Sequence, residues 1–300
     1  MPFSFSLPCI FAFLLTLSTV PATMRLARSY GVVDVPDCTR HRHARVTPRL
    51  GGIAFALSFC VSAPFLQIES AVPLAAFGAL VALCGAFDDA ASISPLKKLT
   101  LQVLTATGSA LAGLRFDGLS FPLSLALSVL FSVLLMNAQN LVDGLDGLSA
   151  ALAIVSAVGM LSLSLSVGAS GIAAILLLFI AAVSGFLPYN IKNAVTFMGD
   201  GGSQFLGYAL GTFAILILNA ATTNEPSGIL LAIKLLICLA LPLLDLLFSA
   251  TRRILHGRSP FSADRGHLHH RLVDAGFSAG TAVALLSASA ASFAVFANVL

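Results

Sequence analysis

The apolar positions of this chain fall in long unbroken blocks, not in a stripe recurring every three or four residues. A stripe marks a helix with one wet face. Continuous blocks mark helices solvated by lipid, because a hydrocarbon core about 30 Å thick takes roughly 20 apolar residues to cross. Ten blocks qualify, over roughly 3–23, 51–68, 72–87, 99–114, 121–137, 148–167, 171–188, 203–219, 229–248 and 279–298. Backbone polar groups in lipid must bond within their own segment. The pattern therefore predicts an all-α, polytopic integral membrane bundle of about ten transmembrane helices. It forms a single transmembrane domain over 1–300, without an internal repeat or a separate soluble domain.

Composition agrees. Of the 300 residues, 58% are hydrophobic and 10% charged, against about 25% charged in soluble domains. The charges are placed asymmetrically. Connections 24–50, 88–98, 138–147, 189–202 and 249–278 are long and polar, whereas 69–71, 115–120, 168–170 and 220–228 are short. Fourteen of the sixteen Lys and Arg residues lie on the long set; only Arg115 lies on the short set, and Lys234 is inside a block. The positive-inside rule puts the long connections in the cytoplasm, and ten spans then put both termini outside. The first 23 residues hold no Lys or Arg, so they lack the basic start of a secretory signal and read as the first span. All six histidines and nine of the thirteen acids share the cytoplasmic side. Cys9, Cys38, Cys60, Cys84 and Cys238 are scattered, without a CxxC pair, and read as apolar fillers or free thiols.

Five constellations share that face. The loop Gly31–Gly52 carries Arg40, His41, Arg42, His43, Arg45 and Arg49 and ends in TPRLGG. Its cations suit an anchor on anionic lipid heads, while its Pro and paired Gly shape backbone for close approach to a ligand. Asp88 and Asp89 end a block, followed by Lys97 and Lys98. Adjacent carboxylates beside hydrocarbon repel unless they share a cation or proton, and adjacent helical positions point differently. In NAQNLVDGLDGLSA, Asn137, Asn140 and Asp143 are spaced by three and share a helical face; Asp143-Gly144 and Asp146-Gly147 then end the helix. Oxygen ligands on a bent backbone suit a hard cation such as Mg²⁺. In FMGDGGSQFLG, Asp200 sits among glycines whose N–H groups can bind phosphate at a helix start. Finally, RRILHGRSPFSADRGHLHHRL offers Arg and His donors for phosphate. Zinc fits His267, His269 and His270 poorly, since adjacent histidines are awkward joint ligands and no Cys or acid completes a usual set. Metal-binding carboxylates, glycine-rich backbone and phosphate donors together suit phosphoryl transfer, where positioning and charge neutralisation supply most of the catalysis.

These motifs, in this order, resemble the polyprenyl-phosphate N-acetylhexosamine-1-phosphate transferase family, from about residue 24 to 278. NAQNLVDGLDGL and FMGDGGS carry the resemblance most specifically, supported by FDDAASISPLKKL and GHLHHRL. It implies a bacterial plasma-membrane enzyme that transfers an N-acetylhexosamine-1-phosphate from a UDP-sugar to undecaprenyl phosphate and releases UMP. The implied cofactor is Mg²⁺, with Mn²⁺ as an alternative. The implied partners are the UDP-N-acetylhexosamine, the polyprenyl phosphate and membrane lipid; a homodimer is allowed and nucleic acid is not expected. Asp88 and Asp89 match the paired catalytic acids, with Asp143 beside them. Asn140 and Asp200 match metal ligands. Asp146 and Phe197 match the positions that recognise uracil. His267, His269, His270 and Arg271 match the histidine motif near the phosphates and sugar. His43, with Arg45, matches the first cytoplasmic loop.

The spacing of GHLHHRL from Pro260-Phe261 resembles the branch that uses UDP-GlcNAc-type donors to begin surface glycans such as O-antigen, more than the branch that transfers phospho-MurNAc-pentapeptide. A transporter would need ionisable residues inside its spans; only Lys234 and Asp245 lie there, near span ends.

Overall fold

The computed structural model describes residues 3–36, 46–222, 228–257 and 266–300. Among them the helices are α1 (Phe3–Ser29), α2 (Gly51–Ser62), α3 (Ala71–Ala91), α4 (Pro95–Leu111), α5 (Phe121–Leu141), α6 (Leu148–Ser166), α7 (Ser170–Asn190), α8 (Gly199–Thr222), α9 (Gly228–Cys238), α10 (Ala240–Leu255), α11 (Leu268–Asp274) and α12 (Ala279–Val299). One antiparallel ladder pairs β1 (Val33–Asp34) with β2 (Thr47–Pro48), in the register Val33 to Pro48 and Asp34 to Thr47.

Every apolar block of the sequence is helical. Among the described residues seven helices are long and apolar enough to cross a membrane, and α9 with α10 makes an eighth if the bent pair is one span. The chain is thus an all-α, multi-pass membrane bundle. Two blocks are shorter than a usual span: α2 with the 3-10 turn that extends it to Leu66, and α4. The block expected over 229–248 is not one straight helix. It bends by 75° between α9 and α10. Pro242 explains the break, since a proline ring clashes with the carbonyl four residues before it, here that of Cys238, where α9 ends. Pro242 then sits in the first turn of α10, where its missing N–H costs nothing.

Helix α8 is the axis of the bundle. Its apolar window is 78% buried, against at most 61% for any other candidate span, and it packs most extensively on α3 and α5. Small residues permit this close approach. A Cβ on Gly85 of α3 would lie 2.5 Å from the Asp200 carbonyl, and one on Gly207 of α8 would lie 2.2 Å from the Leu135 carbonyl. Farther from the site, aromatic rings of α2, α7 and α8 fill the centre: Phe59 and Phe205 have centroids 5.6 Å apart, Phe179 and Phe213 5.3 Å. Contacts of this type stabilise by about 0.5–1.5 kcal/mol each beyond area burial.

The two ends of the bundle differ. At one, Asn219 of α8 accepts from the Asp117 N–H and donates to the Arg115 carbonyl, closing the turn between α4 and α5. At the other, the C-terminal turns of α3 and α5 meet the N-terminal turns of α4 and α8, and the polar motifs collect there.

Candidate active site

Four helices deliver one polar cluster. Asp88 ends α3, Lys98 stands in the first turns of α4, Asn140 ends α5, and Asp200 begins α8. The Lys98 ammonium lies 3.1 Å from Asp88 Oδ2, bonds Asp200 Oδ2, and reaches Asn140 Oδ1 at 3.5 Å. Asn140 Nδ2 donates to Asp200 Oδ1 at 2.8 Å and to Ser203 Oγ at 2.9 Å, which aims its amide oxygen at the cation. Asp88 Oδ1 accepts from the Ile93 N–H at 3.0 Å, closing the turn into α4. Lys98 belongs to a helix rather than a loop because Ser94-Pro95 starts α4 early, with Pro95 at its first position. Below the cluster, Asn137 donates to Gln102 Oε1 at 2.8 Å, and Gln102 donates to Gln204 at 3.0 Å.

Asp89 points elsewhere, as adjacent helical positions must. Its side chain is 1% exposed; Oδ2 accepts from the Gly201 N–H at 3.3 Å, and Oδ1 lies 3.6 Å from Arg49. An N–H at the start of α8 is therefore engaged by a carboxylate of α3, where the sequence expected phosphate oxygens. Gly199 has two reasons to be glycine: its φ is +68°, and a Cβ would lie 2.1 Å from the Arg49 carbonyl. The glycines of TPRLGG also differ from expectation. They approach protein backbone rather than a ligand: Gly51 and Gly52 donate to the carbonyls of Phe197 and Met198 at 3.0 Å, and a Cβ on Gly52 would lie 2.4 Å from Gly202 Cα.

The DGLDG turn sits beside this cluster. Burial first, then the charges of Asp200 and Asp89, push the Asp143 carboxyl up to about 8. Asp146 Oδ2 accepts from the Ala194 N–H at 2.9 Å, and Asn190 bridges the Gly147 N–H and the Thr196 carbonyl. Asp146 and the half-buried Phe197 thereby border the same loop, 191–198.

The histidine motif is brought to that turn from the far end of the sequence. His267 caps the short α11, and its ring stacks on His269 at 5.8 Å and 5°. His269 lies 4.2 Å from His270 between centroids. The His269 ring presses on Gly144, where a Cβ would lie 2.1 Å from Nε2. Burial, then the neighbouring His270, lower His269 to about 4, so it is neutral at pH 7. Arg271 is exposed on the last turn of α11. Asp245 of α10 accepts from His267 Nδ1 at 2.8 Å; an ion path has no use for an acid engaged in this way.

His43 and Arg45 lie outside the described residues. The other candidates gather at one end of the bundle: Asp88, Asn140 and Asp200 around the Lys98 ammonium, Asp89 under the first turn of α8, Asp143 in the DGLDG turn beside them, Asp146 and Phe197 on the loop 191–198, and the histidine motif against Gly144 of the same turn. Sequence reasoning missed Lys98, Arg49 and Asp245 as members of the site. Lys98 had a signal, a proline-started helix carrying a cation four positions in. Arg49 had none beyond its charge, whereas Asp245 had one, an acid lying within an apolar block.

The cluster suits a hard cation. Among the described residues no three His, Cys, Asp or Glu side chains enclose a metal by themselves. The oxygens of Asp88, Asn140 and Asp200 nevertheless already surround one cationic group, the Lys98 ammonium. Mg²⁺ is characteristically held by one or two carboxylates with substrate phosphates and water, so this oxygen-only set fits it.

Residues 71–218, from the start of α3 through most of α8, match the model of Glycosyl transferase family 4. A probable undecaprenyl-phosphate N-acetylglucosaminyl 1-phosphate transferase of Bacillus subtilis is 34% identical, over 97% of this chain and 84% of its own length. The chain belongs to glycosyl transferase family 4. Two further relatives in the family are an undecaprenyl-phosphate alpha-N-acetylglucosaminyl 1-phosphate transferase of Escherichia coli K12, 31% identical over 94% of this chain and 80% of its own, and a decaprenyl-phosphate N-acetylglucosaminephosphotransferase of Mycolicibacterium smegmatis, 30% identical over 87% and 73%. The matched segment carries Asp88, Lys98, Asn140, Asp143 and Asp200, so the polar cluster lies within the family's shared core.

Proposed function

We propose that this enzyme transfers N-acetylglucosamine-1-phosphate from UDP-N-acetylglucosamine to a polyprenyl phosphate such as undecaprenyl phosphate, releasing UMP. One observation carries the reading: Asp88, Lys98, Asn140 and Asp200, from four helices, converge at one end of a lipid-solvated bundle. The cation bias of the long connections supports a cytoplasmic site and, with ten spans, both termini outside.

Asn140 and Asp200 would hold Mg²⁺, with Asp88 at its edge; the ion, when bound, neutralises charge on the donor diphosphate and the leaving UMP. Asp146 and Phe197 receive the uracil, by hydrogen bond and stacking. The histidine motif and Arg271 donate to the phosphates and sugar, and His43 and Arg45 add donors from the first loop. Asp88 orients the lipid phosphate or takes its proton. A phosphate monoester has its second pKa near 6, so at pH 7 most of the acceptor is already a dianion. Its oxygen attacks the β-phosphorus, the bond from that phosphorus to the bridging oxygen breaks, and UMP departs with the electron pair. Asp89 and Arg49 hold the α8 turn that presents Asp200.

The test uses purified full-length protein in detergent, undecaprenyl phosphate, Mg²⁺ and a panel of UDP-N-acetylhexosamines. UMP release from UDP-N-acetylglucosamine, abolished by EDTA and by Asp200→Ala, is the expected result. Release from another donor alone would reassign the sugar.

A further inference from the structure

Asp245 is an acid within an apolar block, and ionised carboxylates are rare there unless they are paired and functional. In the structure its side chain is 2% exposed and both oxygens are engaged. Oδ2 accepts from His267 Nδ1 at 2.8 Å, and Oδ1 accepts from the Leu268 backbone N–H at 2.8 Å. One carboxylate of α10 thus grips two adjacent residues 22 and 23 positions downstream. His267 is the N-cap of α11 in extended conformation and makes no cap bond of its own; Asp245 supplies from outside the acceptor that a helix start needs.

The same face of α10 continues the grip. Ser249, one turn on, places Oγ 3.1 Å from His267 Nδ1. Arg252 donates to the Gly266 carbonyl at 2.9 Å and to Ser249 Oγ at 3.3 Å. Residues 245, 249 and 252 therefore clamp residues 266–268, just before the His269 ring meets Gly144.

The chemistry of the pair is directional. An ionised carboxylate only accepts hydrogen bonds, so Nδ1 of His267 carries a proton and the neutral ring keeps its lone pair on Nε2. A Ser or Asn would satisfy the Leu268 N–H equally well. Only a carboxylate both fixes the tautomer and stabilises the ring when it is protonated.

We propose that Asp245 is a positioning residue, which fixes His267 as the Nδ1–H tautomer so that Nε2 is the nitrogen offered to the phosphates or sugar of the donor. The proposal rests on the transferase reading for what Nε2 meets, and on geometry alone for the tautomer. Around His267 stand Asp245 and Arg252 of α10 and His269 and His270 of α11. Helix α12, packed on α11, carries no titratable residue. Asp143 and Asp146 flank the Gly144 contact from the DGLDG turn.

The experiment uses full-length protein labelled with ¹⁵N-histidine, as wild type, Asp245→Asn, His267→Ala and the double variant. The His267 signals are those missing from His267→Ala. In wild type they show a protonated Nδ1 and an unprotonated Nε2, and Asp245→Asn shifts them toward Nε2–H. With UDP-N-acetylglucosamine and undecaprenyl phosphate, Asp245→Asn lowers kcat by about 100-fold or more, as wrong-tautomer variants do elsewhere, while KM changes little. In the His267→Ala background it costs nothing further. An unchanged tautomer signature in Asp245→Asn overturns the proposal. So does an equal loss of kcat with and without His267, which marks a structural role. If Asp245→Asn does not fold, an Nε2–H signature in wild type overturns it. Absence of turnover in folded wild type removes the transferase reading instead, and the tautomer signals still decide the role of Asp245.

Discussion

The ammonium of Lys98 is bonded to the carboxylate of Asp200, a residue 102 positions away on the central helix, and stands where the oxygens of Asp88 and Asn140 also converge. A cation of the protein thus occupies the position that the donor set offers to a metal. Lys98→Ala leaves two carboxylates facing each other across a partly dehydrated gap. Breaking a fully buried pair costs about 3–5 kcal/mol. These side chains are 11–20% exposed, so a loss of about 1–3 kcal/mol is expected here. Mg²⁺ should restore much of it. Thermal unfolding of the variant in EDTA and in millimolar Mg²⁺ checks this; a midpoint insensitive to Mg²⁺ would show that the cation does not bind between these acids.

The two acids of the Asp-Asp pair should separate by phenotype. Asp88 lies beside Lys98 with its charge turned to the cluster, whereas Asp89 is buried under the first turn of α8. Asp88→Asn is expected to leave the thermal midpoint within a few degrees and to lower kcat by about 100-fold or more. Asp89→Asn is expected to lower both, because a buried partner of Arg49 and Gly201 is lost. Equal thermal shifts for the two variants would contradict this division.

Much of this arrangement is readable in the sequence. Asp88, Asn140 and Asp200 announce themselves as acids and amides at the ends of apolar blocks, and their shared face follows from the alternation of long and short connections. The partners are harder. Lys98 and Arg49 look like ordinary positive-inside charges, and nothing local says which carboxylate each one meets. Gly144 reads as a helix breaker, yet its reason is a histidine ring 125 residues downstream. The 75° bend after Cys238 is implicit in Pro242, but a hydrophobic block conceals it because both halves are apolar.

The Gly144 contact gives a prediction of its own. In Gly144→Ala the new methyl would overlap the His269 ring, so α11 must shift. A drop in kcat of about tenfold or more is expected in a folded protein. Shortening the ring in Gly144→Ala/His269→Ala should recover the thermal midpoint without recovering kcat. A Gly144→Ala enzyme with full turnover would show that the position of the histidine motif is not critical.

Two groups outside the spans make the stability of the metal-free protein depend on pH with opposite signs. Asp143, raised to about 8, keeps a proton in the folded state that the unfolded chain releases near 3.8. Its contribution therefore falls as pH rises from about 4 to 8. His269, lowered to about 4, leaves the unfolded chain binding more protons up to 6.5, so its contribution rises across that window. Between pH 6.5 and 8 only Asp143 of the two acts. Thermal midpoints in EDTA should fall over that interval, and the fall should be smaller in Asp143→Asn. An identical slope in the variant would contradict the assignment.

The central claim is transfer of a phosphosugar from the β-phosphorus, which differs from transfer of the sugar alone. UDP-N-acetylglucosamine labelled with ³²P at the β-phosphorus, incubated with the enzyme, undecaprenyl phosphate and Mg²⁺, tests it most directly. The account predicts that β-label moves into the organic-extractable lipid, while label placed at the α-phosphorus stays in water as UMP. β-Label remaining in water as UDP while the lipid gains sugar would contradict it, because the bond broken would then be the one between sugar and phosphate.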